Sequence, residues 1–217
     1  MKMTTLFFDL DATLYPASSG LWDVIRERIY GFMVEQLSIP DHEVPSLREH
    51  YWKTYGTTLE GLRIHHQVEP DDYLDFVHNI PLEQYLDPDP ALKTLLSSLP
   101  QELWVFTNAD HRHAARVLKR LGIEGLFQGV IDLYALDFVV KPNPDAYRTA
   151  LNLAGKEDGT ACLLFDDLLP NLLAAGKFGF TTVLVGKNGR AEGVDLQLDS
   201  LHEIPSKLPQ LWADPRP

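Results

Sequence analysis

The chain has 217 residues, 45% hydrophobic and 23% charged, with a formal net charge of −12. This argues against disorder over most of the length and leaves room for one substantial core, or a core with a smaller inserted domain. The acidic balance disfavours nucleic-acid polymers and anionic membrane surfaces as partners, and the lone cysteine, Cys162, excludes an internal disulfide framework.

The opening MKMTTLFFDL holds no long apolar segment followed by a small-residue cleavage site, and no stretch reaches bilayer length, so a cytoplasmic protein is expected. TTLFFD (4–9) reads as a buried strand ending in Asp9, with Asp11 and Thr13 just beyond. From 17 to 86 no strand pattern occurs. SSGLWDVIRERIYGFMVEQLS is helical, with Leu21, Val24, Ile25, Ile29, Phe32 and Met33 on one stripe and Ser19 as its N-cap. Further helices are predicted over 41–55, 58–66 and 70–78, the last opening with Pro70, Asp71 and Asp72. LDPDPAL (86–92) reads as a hinge. Then strands and helices alternate: ELWVFTN (102–108), a helix over 110–122 closed by Gly122, GVIDL (129–133), a helix over 143–155, ACLLFDD (161–167), a helix over 169–179, and TTVLVG (181–186). VDLQLDSL (194–201) alternates and adds an edge strand, and LPQLWADPRP (208–217) reads as a loosely ordered tail. Continuous apolar strands interleaved with helices predict an α/β fold, a doubly wound parallel sheet, with a helical insert after the first strand.

In such sheets ligands bind beyond the carboxyl ends of the strands. The polar residues predicted there are Asp9, Asp11 and Thr13, then Thr107 and Asn108, then Asp166 and Asp167, with Lys141 just before the helix that starts near Pro144. Clustered Asp oxygens without His or Cys suit a hard cation, Mg2+ above all. A cation, an ammonium, a hydroxyl and an amide N–H together describe a phosphate site. One Asp can attack phosphorus there, while a second carboxylic acid protonates the leaving alcohol and later activates water. DLDATLYP lacks the further ligands and the glycine of a calcium loop. His65–His66 and His111–His113 lack the one-face spacing of a helical zinc pair. His111 and His113 read as helix-start residues, Cys162 and the Trp22, Phe32, Met33 stripe as core, and Tyr15 as either an entrance or a hinge-packing aromatic.

DLDATLYP, FTNAD, KPNPDAY and LLFDDLLPNLLAAGKFG resemble, in order, the four motifs of the haloacid dehalogenase (HAD) superfamily, over almost the whole chain. The long interval after the first is similar to the helical C1 cap of its subfamily I, and LYPASSGLW, YGTTLEGL and DDYLDFVH resemble the pyrimidine 5′-nucleotidase-like branch. The resemblance implies a HAD-like Rossmannoid core at 1–16 and 87–217 and a cap at 17–86. It implies a Mg2+-dependent phosphomonoester hydrolase with an aspartyl-phosphate intermediate and a small-molecule substrate, a nucleoside monophosphate, in a monomer or small homo-oligomer. Asp9 would be nucleophile and metal ligand. Asp11 would be the general acid/base, with its main-chain carbonyl on the metal. Thr107 and the Asn108 amide would bind the phosphoryl group, and Lys141 would hold Asp9 and the phosphate together. Asp167 would complete the metal shell, with Asp166 beside it as a direct or water-mediated ligand. Asp166 replaces the glycine of the family's G-D-x-x-x-D form, and Asn171 takes the place of its last Asp. Ala12 stands where the branch commonly has Asn or Gly, which loses a side-chain hydrogen bond but no catalytic group. A phosphotransferase or phosphomutase on sugar phosphates would use the same residues. A dehalogenase would need neither Asp11 nor the cation. A non-catalytic phosphate-binding regulatory protein would be marked by loss of a core carboxylate, and none is lost.

Overall fold

TLFF at Thr5–Phe8 forms β1, and every one of its residues is buried. Successive side chains point to opposite faces, so a wholly apolar strand needs cover on both. The computed structural model describes residues 2–186 and 191–213. It divides into two compact units, Ser19–Tyr85 and the remainder, Met1–Ser18 with Leu86–Pro217.

The Ser19–Tyr85 unit is built on four α-helices: α1 (Leu21–Glu35), α2 (Val44–Tyr55), α3 (Thr58–His66) and α4 (Pro70–His78). Ser19 is not the N-cap of α1. It ends a short 3-10 turn, and Gly20 takes the cap position at φ 78°, a left-handed conformation that glycine adopts without steric cost. The Ser19 hydroxyl still accepts from Leu21 N–H at 3.3 Å. Leu21, Ile25, Phe32 and Met33 are buried, but Trp22 is exposed and is not core. Phe32 packs edge-on against Tyr73 and Phe76 of α4. The α2–α3 pair closes on Gly61, where a Cβ would stand 2.2 Å from Tyr51 Cγ. Gly61→Ala is therefore expected to cost about 1–3 kcal/mol through overpacking, outweighing the helix-propensity gain of up to about 1 kcal/mol. Thermal unfolding checks this; an unchanged or higher midpoint would show that α2 and α3 can part freely.

The other unit continues with α5 (Pro90–Ser98), β2 (Glu102–Phe106), α6 (His111–Leu121), β3 (Gly129–Ile131), α7 (Pro144–Leu153), β4 (Cys162–Asp166), α8 (Leu169–Gly176), β5 (Thr181–Val185), β6 (Leu196–Leu198) and α9 (Ile204–Lys207). The order in the sheet is β3-β2-β1-β4-β5-β6, every pair parallel. The chain steps outward from β1 in one direction and returns on its other side through β4. That reversal is the topological switch point, where open sheets hold their ligands. Phe8 stacks on Phe165 of the neighbouring strand at 4.7 Å, and Phe7 meets Phe106 and Phe180 edge-on.

Two expectations are corrected here. LDPDPAL is not only a hinge: Asp89 accepts from Leu92 N–H and Pro90 occupies the first helical position, so the stretch starts α5. The tail is ordered as far as 213. Pro209–Trp212 form a 3-10 turn, Trp212 Nε1–H donates to Ser98 O, and Gln101 Nε2–H donates to Leu211 O. Residues 214–217, the rest of the expected loose tail, lie outside the described residues.

Candidate active site

Adjacent parallel strands end at the same level, so β2, β1 and β4 deliver their following residues side by side. Asp9 follows β1, and its main-chain N–H donates to Phe165 O of β4 at 2.8 Å. Thr107 and Asn108 follow β2. Asp166 ends β4 and Asp167 comes next. Lys141 reaches this row from the loop before α7, which Asn143 caps through Asp145 N–H.

The Lys141 ammonium is 1% exposed and spends its three N–H donors inside the protein. They go to Asp9 Oδ1 at 2.9 Å, Asp166 Oδ2 at 2.7 Å and Phe106 O at 2.7 Å. Its backbone is fixed as firmly: Asn108 Nδ2 donates to Lys141 O, and Lys141 N–H donates to Asn108 Oδ1. The Asn108 side chain is thus a brace for Lys141, a use that its sequence position did not reveal. The Thr107 hydroxyl accepts from Ala109 N–H at 3.0 Å.

Asp166 is fully buried. Oδ1 accepts from Leu168 N–H and Asn171 Nδ2, and Oδ2 accepts from Lys141 Nζ and Asn171 Nδ2. Those contacts take up all four lone-pair sites of a carboxylate. Asn171 therefore donates where an Asp in its place could only accept. Tyr147 O–H in turn donates to Asn171 O at 2.7 Å.

Burial pushes the Asp9 carboxyl well above the usual range; Lys141 opposes this, while Asp166 and Asp167 add to it. Burial, then Asp166, pushes Asp167 up to about 7. Burial alone would lower the Lys141 ammonium, but Asp166 and Asp9 raise it above its ordinary value. Acidic groups outnumber basic ones in this row, with three carboxyls gathered about one ammonium. Among the described residues, ligand atoms of Asp9, Asp166 and Asp167 lie within 4.8 Å of one another, and no His or Cys joins them. An all-oxygen set with that charge deficit fits a hard divalent cation.

Asp11 stands slightly apart, its side chain 14% exposed. Tyr15 O–H donates to Asp11 Oδ1 at 2.6 Å, and His113 Nε2 lies 2.8 Å from the same oxygen. Neither partner was recognised as such from sequence. Tyr15 is tied to the loop it follows, and burial, then Asp11, holds its hydroxyl well above its usual pKa and so protonated. His113 is the third residue of α6, not merely a helix-start residue. Between the two carboxylates, Ala12 adopts φ 63°. That is the left-handed region, which an L-residue occupies at a cost of about 1 kcal/mol. The backbone, more than a lost side-chain hydrogen bond, makes glycine or asparagine suited to this position.

Comparison with known proteins places these features in context. The model of the family described as haloacid dehalogenase-like hydrolase matches residues 3–179. Phosphate metabolism protein 8 of Saccharomyces cerevisiae is 31% identical over 194 residues, which make up 82% of this chain and 60% of that protein. The chain therefore spans less than two thirds of that relative's length. A HAD phosphatase from Thermococcus onnurineus has a similar structure, with a TM-score of 0.64 and 18% identity over 94% of this chain and 97% of that one. The L-2-haloacid dehalogenase of Xanthobacter autotrophicus superposes with a TM-score of 0.60 and 17% identity over 94% of this chain and 97% of its own. At such identities the likeness is one of fold, and this fold carries more than one chemistry.

Proposed function

The chain belongs to the haloacid dehalogenase-like hydrolases, and on that premise we propose that it is a Mg2+-dependent phosphomonoester hydrolase. The observation that carries the reading is the pairing of Asp9, against Lys141 and Asp167, with a second carboxylate, Asp11, held by its own partners. A halide leaves without a proton, so a dehalogenase has no use for Asp11 or for an acidic cation cluster. The phosphate-related name of the yeast relative supports the same choice.

Asp9 attacks phosphorus, and the bond from phosphorus to the leaving oxygen breaks. Asp11 gives its proton to that oxygen, and the alcohol departs. Asp11, now a carboxylate, takes a proton from water, whose oxygen attacks phosphorus. The bond to Asp9 breaks, releasing inorganic phosphate and restoring the Asp9 carboxylate. Lys141 orients Asp9 and offsets its charge, acting on the phosphoryl group through charge because its N–H donors are already engaged. The Thr107 hydroxyl and Asn108 N–H bind the phosphoryl oxygens. Asp9, Asp167 and the Asp11 carbonyl would hold Mg2+, which supplies charge neutralisation for the phosphoryl oxygens. Asp166 would stand beside them as a direct or water-mediated ligand.

We further assign the Ser19–Tyr85 unit as the cap that selects the substrate. LYPASSGLW, which leads into it, and YGTTLEGL and DDYLDFVH within it favour a nucleoside monophosphate, in a cytoplasmic enzyme. No described helix is long and apolar enough to cross a membrane.

The test is phosphate release from nucleoside monophosphates, sugar phosphates and alkyl phosphates, with Mg2+ and with EDTA, alongside halide release from 2-haloacids. Mg2+-dependent turnover, best on nucleotides, is expected. Halide release without phosphatase activity would reverse the reading, whereas preference for sugar phosphates would remove only the nucleotide assignment.

A further inference from the structure

We propose that His113 and Tyr15 are positioning residues that clamp Asp11 in the orientation for proton transfer to the leaving group, an inference that rests on the phosphatase reading above. They come from opposite directions. In the turn after β1, Leu14 N–H donates to Leu10 O, which brings Tyr15 back over Asp11 four residues earlier. His113 arrives from 102 residues away, in the first turn of the helix that follows β2, the strand beside β1. That turn is fixed by Asp110, whose Oδ1 accepts from both Arg112 N–H and His113 N–H at 2.8 and 3.0 Å. The His113 side chain is fully buried and Tyr15 is 3% exposed, so each pays desolvation and side-chain entropy to make its contact.

Both contacts fall on one atom, Asp11 Oδ1. Tyr15 donates to it, and the Nε2–H tautomer of His113 donates as well. The clamp thereby fixes the Asp11 rotamer from two sides. A rotor with two equivalent oxygens becomes a directed donor, and orientation of this kind is a large part of what a catalytic acid contributes.

A purely structural role for His113 predicts equal damage on every substrate. A role through Asp11 predicts damage that depends on the leaving group. The experiment compares kcat/KM for a nucleoside 5′-monophosphate, whose alkoxide needs a proton, with 4-nitrophenyl phosphate, whose phenolate does not. This parameter reports the steps through transfer to Asp9, so the hydrolysis shared by both substrates does not mask the difference. Tyr15→Phe and His113→Ala are expected to lose about tenfold or more on the nucleotide, part of the ~10²–10⁴ ascribed to a general acid, and less than about threefold on 4-nitrophenyl phosphate. His113→Gln, which keeps a donor near the Nε2 position, should recover nucleotide activity to within about threefold of wild type. If His113→Ala fails to fold, Tyr15→Phe and His113→Gln decide the matter. Equal losses on both substrates, or no loss on the nucleotide, would overturn the clamp while leaving the phosphatase intact. A wild-type chain inactive on all phosphoesters would overturn the phosphatase reading and the clamp with it.

Discussion

Asp9→Asn is expected to lower kcat by more than about four orders of magnitude, because in the proposed mechanism Asp9 is the nucleophile and an amide cannot take that role. The same change should leave the protein as stable as wild type in EDTA, or more so. Asp9 is buried, and Asp166 and Asp167 disfavour its ionised form, so neutralising it removes an unfavourable charge. Lys141 keeps Asp166 and Phe106 O as acceptors. Activity and stability are thus predicted to move in opposite directions, as expected where a site is built against the preference of its own side chains. Initial rates with the best phosphoester and thermal unfolding in EDTA check both halves. Retained turnover would remove Asp9 from the chemistry, and a lower melting point would mean that its charge supports the fold.

Lys141→Met should be far more damaging to the fold. The side chains are of similar length, so packing is nearly conserved. The ammonium between Asp9 Oδ1 and Asp166 Oδ2 is lost, and two buried carboxylates then face each other. Breaking a buried ion pair from one side costs about 3–5 kcal/mol. At about 2–4 °C per kcal/mol for a chain of this size, the melting point should fall by roughly 10 °C or more. The deficit should also depend on pH with a defined sign. Burial already raises Asp9, and Asp167 is raised to about 7. Groups raised on folding bind more protons in the folded chain, so stability is greatest below about pH 4 for these groups and is lost as pH climbs through 7. In EDTA, the variant should melt closer to wild type at pH 5 than at pH 8. Adding Asp166→Asn should recover part of the loss, since it removes one of the orphaned charges. A Lys141→Met protein that melts like wild type at pH 8 would show that Lys141 does not hold the acidic row together.

Signals legible in the sequence were those that act over a few residues. TLFF and CLLFD read as buried strands because LFF and CLLF are apolar runs, and both strands are buried. Gly122 closes α6 at φ 75° because no side chain is needed there. The acidic residues and Lys141 stood out because such groups at strand ends demand partners. What escaped notice depends on the order of strands in the sheet. His113 meets Asp11 only because β2 lies beside β1, and nothing within ten residues of either announces the contact. The same holds for the Asn108 amide on the Lys141 backbone and for the Asn171 amide on Asp166. The start of α5 was a different failure. The local signal, Asp89 before Pro90, was present, but two prolines in seven residues weighed more heavily towards a hinge.

The central place of β1 carries a consequence for how the polypeptide is made. Residues 5–8 are translated ahead of both strands they pair with, residues 102–105 on one side and 162–165 on the other. Their backbone and the apolar run TLFF must wait through most of synthesis before either neighbour exists, and the second arrives only after the first. The four helices of Ser19–Tyr85 close among themselves and are complete long before. The segment that leads into Asp9 is thus translated before either neighbouring strand and is among the last to be secured. Until β2 is translated TLFF has no partner strand, and until β4 follows it keeps one open edge of the sort that aggregates or recruits chaperones.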